Sequence, residues 1–344
     1  EIKMIHVKGE DMAYKLPPVL YNAEGLIRKA GFEIEFTDIH INTVNEIIKT
    51  SYGGEIQKKG SFDYEIANTR LGDFKVKLDT SLFKHPHYQK IVSNLSESAR
   101  DIVKSEHPLE EKIHTSLGDL ASTLVPYEIV TPALPVNELE KLEALRWALY
   151  ENKAKGTSSS LMYAFATHVN AEAPHLNVFS MMNHLRAFLV LYPYIIHKQR
   201  INPARRISYF INPFQWKYLR IVLEPEYQEE MEQFMRTYYQ YNPDRNRPLD
   251  LYPLFAHLRP ALVNKFKNIG NVKSRPTYHY RLPNSLIDDK NWSFSEEWNM
   301  WVEIERLADD VPKLMDLCNR FLKLRKRSFW GFRRKWIKIL EENR

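Results

Sequence analysis

The sequence predicts an α+β fold: a curved, mostly antiparallel sheet with one open polar face, helices packed on the other face, and a helical carboxy-terminal part. Three observations predict it. Five short segments alternate apolar and polar residues with period two, the signature of half-buried strands. Between them run amphipathic or apolar stretches with helical spacing, the longest over residues 178–198. The polar side of every strand-like segment carries chemistry-bearing residues: Glu33 and Glu35, Asp79, Glu128, His168 and Asn170, and His279 and Arg281.

Residues 1–30, which include Pro17-Pro18, read as an irregular arm. Gly31 to Phe36 then alternates so that Phe32, Ile34 and Phe36 face a core and Glu33 and Glu35 face the other way. Carboxylates two residues apart on a strand stand roughly 6–7 Å apart, a separation that suits a divalent cation or a metal–phosphate complex. Asn42 to Tyr52 has helical spacing through Val44, Ile47 and Ile48, and Gly53-Gly54 stops it. A hairpin follows, with Phe62, Tyr64 and Ile66 in one arm, a turn at Leu71-Gly72-Asp73, and Phe74, Val76 and Leu78 in the other. Asp79 ends its polar face. Residues 84–119 are polar and read as a helix with connecting loops. Val125, Tyr127 and Ile129 alternate against Glu128, and Thr131-Pro132 ends that strand. Asn137 is expected to cap a helix through Leu139, Leu142, Leu145 and Leu149, with Gly156 and a serine run terminating it. Leu161 to Asn170 reads as a strand with Ala164, Ala166, His168 and Asn170 on one face. After the apolar helix at 178–198, residues 200–275 are helix and loop, with basic clusters at Arg205-Arg206 and around Arg245 and Arg247. A last strand, Thr277 to Leu282, sets His279 and Arg281 opposite Tyr278 and Tyr280. Two helices, at about 295–323 and 328–342, complete the chain.

Composition bounds the function. With 344 residues and 44% hydrophobic content the chain can bury a substantial core. A net charge of +6 leans towards anionic ligands such as nucleotides. The single cysteine, Cys318, excludes an intramolecular disulfide framework, and a cytoplasmic location is expected. No apolar run reaches the ~18–20 residues a membrane span needs, and the first residues lack the pattern of a secretory leader.

If the strands share one sheet, their polar faces converge on an acidic surface with an arginine at its rim. Each residue also has a plain structural alternative: Asp79 capping a turn, Glu128 paired with a lysine, His168 a satisfied core histidine, Arg281 bridging a surface carboxylate. The shared sidedness of five segments favours the functional alternative. Other chemistries lack their residues. There is no Gly-x-x-x-x-Gly-Lys loop for phosphate and no Gly-x-Ser-x-Gly elbow. Cys318 sits at leucine spacing, as a core residue does, and the cysteine set of a structural zinc site is missing. The tail from Arg325 to Trp336 mixes bases and aromatics, and it is expected to dock on its own domain through Phe329, Phe332 and Trp336.

Several blocks resemble the amidoligase family, a branch of the carboxylate–amine ligases related to glutamine synthetase and glutamate–cysteine ligase. They are Gly31-Phe32-Glu33-Ile34-Glu35, Asp79-Thr80-Ser81-Leu82, Tyr127 to Leu134, His168-Val169-Asn170, Asn242 to Asp250 and Arg275 to Asn284. The resemblance implies a glutamine synthetase-like catalytic domain over 31–310, with a helical insertion at about 200–270, followed by basic helices at 311–344. It implies an ATP-dependent ligase that phosphorylates a carboxylate and lets an amine attack the acyl phosphate, with Mg²⁺, or Mn²⁺ in its place. Glu33, Glu35 and Glu128 match the family's metal-binding acids, and Asp79 a further acid. His168 matches the histidine near nucleotide or substrate, and Arg281 the arginine facing the transferring phosphate. Arg245, Arg247 and Arg275 are secondary candidates for phosphate or carboxylate, since guanidinium grips such groups bidentately. Two departures stand out: His279 where relatives often carry an acid, and Asn170 where they often carry a second histidine. The partners implied are ATP, a carboxylate and an amine (amino acid, peptide or protein terminus) and an ATP-grasp enzyme; nucleic acid and membrane are not expected. The rival class is a non-catalytic protein on the same fold that binds nucleic acid or a protein through the basic tail; a third is a metal-dependent hydrolase.

Overall fold

A computed structural model describes residues 13–78, 126–157, 165–207, 211–328 and 330–342. Its strands are β1 (Lys29–Phe36), β2 (Glu55–Gly60), β3 (Asp63–Ala67), β4 (Phe74–Leu78), β5 (Tyr127–Val130), β6 (Leu134–Pro135), β7 (Thr167–Glu172), β8 (Leu249–Asp250) and β9 (Thr277–Tyr280). They form one nine-stranded sheet in the order β2-β3-β4-β5-β1-β7-β9-β8, with β6 bonded to the start of β1. Every pairing is antiparallel, and β2 and β8 lie at opposite ends. The fold is α+β.

Directly opposed residues on neighbouring strands share a sheet face. The register therefore carries the alternation of β1 across the sheet. Phe32, Ile34, Val76, Ile129, Val169, Tyr278 and Tyr280 form one buried face, each large side chain contributing about 1.5–3 kcal/mol through burial. Helices cover it. α1 (Ile41–Tyr52) packs against β3 and β4, with Tyr52 stacked on Phe74 at 5.2 Å, and against α2 (Glu143–Glu151). The long α3 (Val178–Lys198) packs on α9 (Phe294–Asp309), whose first residue, Phe294, stacks on Phe32 at 5.1 Å. Between them in sequence lie α4 (Pro203–Ile207), α5 (Trp216–Val222), α6 (Met231–Tyr241), α7 (Tyr252–Leu258) and α8 (Pro260–Val263). The chain closes with α10 (Val311–Arg327) and α11 (Phe332–Glu342), both packed on α3. Among the described residues no helix is long and apolar enough to cross a membrane.

Several expectations change. The helix expected over 295–323 is two helices, because Asp310 caps Lys313 N–H and Pro312 follows it, restarting the helix at Val311. Asn137 is not a cap. The segment enters through a 3₁₀ turn at Leu139–Leu142 whose preceding residue is Glu138. Nor does Gly156 stop α2, which ends at Glu151. Its glycine is needed for close approach: a Cβ there would lie 2.1 Å from the Ser285 carbonyl oxygen. The strand expected at 161–170 is described from Thr167 to Glu172, while 161–164, Asp79, Val125, Phe329 and all of 84–119 fall outside the described residues. β2 shows no apolar alternation because it is an edge strand with little to bury. The expected docking of the tail holds for Trp336, which is fully buried and donates from Nε1 to the Val190 carbonyl at 2.7 Å. Cys318 is buried in the core, as its spacing implies.

Beneath the sheet, Glu297 on α9 accepts from Trp292 Nε1 at 2.9 Å and from Gln199. Burial pushes its carboxyl up to about 8, against the pull of the Trp292 bond. A folded-state pKa above the unfolded value of about 4.3 means that the stabilisation is complete below that value and is lost as pH rises through about 8. Melting temperature measured from pH 5 to 9 is thus expected to fall across this window, and Glu297→Gln to flatten the decline. An unchanged slope in the variant would contradict the assignment.

Candidate active site

The polar face gathers its side chains at the centre of the sheet, where β1 lies between β5 and β7. Glu35 faces Glu128 across one strand pair, and Glu33 faces His168 across the other. Asn170 pairs with His279, and His279 in turn with Asp250. The strand order therefore does what no single strand could, bringing residues some 250 positions apart into contact.

Glu33 is the hub. Its Oε1 accepts from Asn170 Nδ2 at 3.0 Å and from both terminal nitrogens of Arg275 at 3.3 Å. Its Oε2 lies 3.1 Å from His168 Nδ1 and 3.5 Å from His279 Nε2. Burial would raise its pKa, but His279 and His168 outweigh that and hold it well below the carboxylate range. Glu35 Oε2 accepts the Ala166 N–H at 2.8 Å, and Oε1 lies 3.7 Å from His168 Nε2. Glu128 pairs with Lys77 at 2.6 Å, the lysine partner that the sequence left open. Burial pushes His168 down to about 3 despite the bond to Glu33, so its imidazole is neutral and fit to donate a lone pair.

Two groups in this cluster hold their ligand-type atoms within 4.8 Å of one another: Glu33, His168 and His279, and Glu35, Glu128 and His168. They share His168. Carboxylate oxygens suit Mg²⁺ or Mn²⁺ and imidazole suits divalent transition-metal ions, and Asn170 Oδ1, buried and without a hydrogen-bond partner, is a further oxygen beside Glu33. The donor set fits a divalent cation.

Arginines ring the acids. Arg245 Nε binds Asp250 at 2.9 Å, and Arg281 donates to the Arg245 carbonyl at 2.7 Å. Burial opposes ionisation of Asp250, yet Arg245 and His279 hold it down at about 2. The buried Nε atoms of Arg275 and Arg281 have no hydrogen-bond partner, which leaves donors for an anion. Arg247 differs. It is 4% exposed, and its Nε and Nη1 donate to Asn242, Asp244 and the Asn246 carbonyl of its own loop.

Three of these residues were not put forward as site residues from the sequence. Asp250 lies in a two-residue strand, too short to show alternation. Lys77 alternates onto the polar face of its hairpin, a signal that was available. Arg205, buried on α4, donates to the Arg281 carbonyl at 2.7 Å; burial lowers it to about 10, and the charge of Glu35 supports its ionised form. Nothing periodic marks it. The polar face was also expected to be open, whereas Glu33, Glu35, Glu128, His168, Asn170 and His279 are each less than a tenth exposed.

A family model described as "Putative amidoligase enzyme" matches residues 26–303. The chain belongs to the amidoligase family. No curated protein and no solved structure matches it. The matched span of this amidoligase runs from the approach to β1 into α9, so it contains every residue of the cluster and omits α10 and α11. Family membership supports a ligase-type function for the chain.

Proposed function

We propose that this amidoligase is an ATP-dependent carboxylate–amine ligase on a glutamine synthetase-like sheet, joining a carboxylate and an amine through an acyl phosphate. The observation that carries the reading is the pair of acid–histidine groups sharing His168, with arginine donors beside them. Glu33, Glu35, Glu128, His168 and His279 would hold Mg²⁺ or Mn²⁺, whose charge offsets that of the triphosphate when bound. Asp79 remains a candidate for the same set.

The chain's own residues carry the rest. Arg281 and Arg275 offer fixed donors to the γ-phosphoryl group, where charge builds as the substrate carboxylate attacks it. Arg245 is held by Asp250, so the backbone carbonyl that orients Arg281 does not drift. Arg205 braces Arg281 from the other side through its carbonyl. Enclosure strengthens these interactions and keeps water from the acyl phosphate, so the amine rather than hydroxide captures it.

The test is phosphate release from ATP with Mg²⁺ and pools of amino acids, comparing wild type with Glu35→Ala and Arg281→Ala. Each substitution is expected to lower the rate by about 10²–10³-fold, as loss of one preorganised charge-stabilising group does. Wild-type rates in both variants would refute the site. Turnover of an amide without nucleotide would point to a hydrolase.

A further inference from the structure

A recess of about 380 Å³ lies where α3, α4 and α11 meet, lined by Tyr192, Pro193, Ile196, Pro203, Arg206, Pro213 and Arg333. Its charge is one-sided. Two of its lining residues are arginines, and no Asp or Glu lines it among the described residues. Other arginines of the chain stand against acids: Arg28 against Glu305, Arg146 against Glu143, Arg245 against Asp250 and Arg275 against Glu33.

Both guanidiniums are carried by anchored helices. Arg333 stands one turn before Trp336, whose bond to Val190 pins α11 on α3. Arg206 follows Arg205, which is tied to the carbonyls of Arg281 and Leu282. Desolvation, and then the charge of Arg206, lowers the pKa of Arg333, as two cations held together in a concave site require. Burial pushes the Tyr192 hydroxyl up to about 12, so at neutral pH it stays a donor. Two guanidiniums and a phenol match the several oxygens of a phosphate group better than the two of a carboxylate. The proline and isoleucine walls suit an apolar body.

We propose that this recess binds a phosphomonoester, its phosphate between Arg206 and Arg333 and its apolar part against Pro193, Pro203 and Pro213. Arg333 lies beyond the family-matched span of 26–303, so the site is a feature of this chain rather than of the family core. It does not depend on the ligase chemistry.

Calorimetry with phenyl phosphate as probe, on the full chain without metal or nucleotide at fixed ionic strength, tests it. Wild type is expected to bind, and Arg206→Gln and Arg333→Gln each to weaken binding at least about ten-fold, with melting temperature and Mn²⁺ affinity unchanged. Inorganic phosphate and benzoate are expected to bind more weakly. Equal affinity in wild type and both variants, or no binding by wild type, overturns the site. Benzoate binding as tightly as phenyl phosphate overturns the phosphate assignment, and inorganic phosphate doing so overturns the apolar contact.

Discussion

Glu33→Gln is expected to lower Mn²⁺ affinity by roughly 100-fold or more and to remove most nucleotide-dependent phosphate release, while the fold survives. The reason is the hub geometry. One carboxylate answers Asn170 and Arg275 through one oxygen and His168 and His279 through the other. Glutamine keeps the volume and loses the charge, and its amide sets a donor against neighbours that are themselves donors. Loss of a mere outer partner of a metal site already costs about 10–100-fold, so loss of a ligand should cost at least that. Titration of Mn²⁺ by electron paramagnetic resonance reads the affinity, and circular dichroism checks folding. A well-folded variant that binds Mn²⁺ like wild type would remove Glu33 from the ligand set. Lys77→Met should move the other way. Its ammonium, 2.6 Å from Glu128, competes with any cation there, and removing it is expected to tighten Mn²⁺ by about 3–10-fold.

The largest stability effect is expected from Glu305→Ala. Arg28 and Glu305 are both buried, with contacts of 2.8 and 2.6 Å, and Arg28 also donates to the carbonyls of Val19 and Glu172. This ties α9 to the start of β1 and the end of β7. Removing the acid leaves a guanidinium enclosed without its counter-charge, a loss of about 3–5 kcal/mol. The paired replacement Arg28→Met with Glu305→Leu should recover much of it, because a buried pair replaced by apolar volume leaves no orphaned charge. Denaturant midpoints of the three variants measure both. A cost below about 1 kcal/mol for Glu305→Ala would mean that Arg28 is already satisfied by carbonyls.

Much of the fold was legible because strand periodicity is a local property. Phe32, Ile34 and Phe36 could face one core only if Glu33 and Glu35 faced away, and the same held for Glu128, His168 and His279. The long helix at Val178–Lys198 was equally plain, since its buried positions run almost without interruption. Where local signals competed, they misled: Asn137 has the chemistry of a cap and Gly156 that of a helix stop, yet the chain uses neither so.

What the sequence by itself determined is sidedness: which residues stand on the polar face of each strand, since neighbouring side chains must alternate. Only the tertiary structure decided adjacency. The order β5-β1-β7-β9-β8 sets Glu128 against Glu35, His168 against Glu33 and Asp250 against His279. Strand order and register depend on how distant segments pair and on which helices cover the apolar face. No periodicity within one segment encodes that, which is why the places of Asp250 and Arg205 emerged only once the chain was folded.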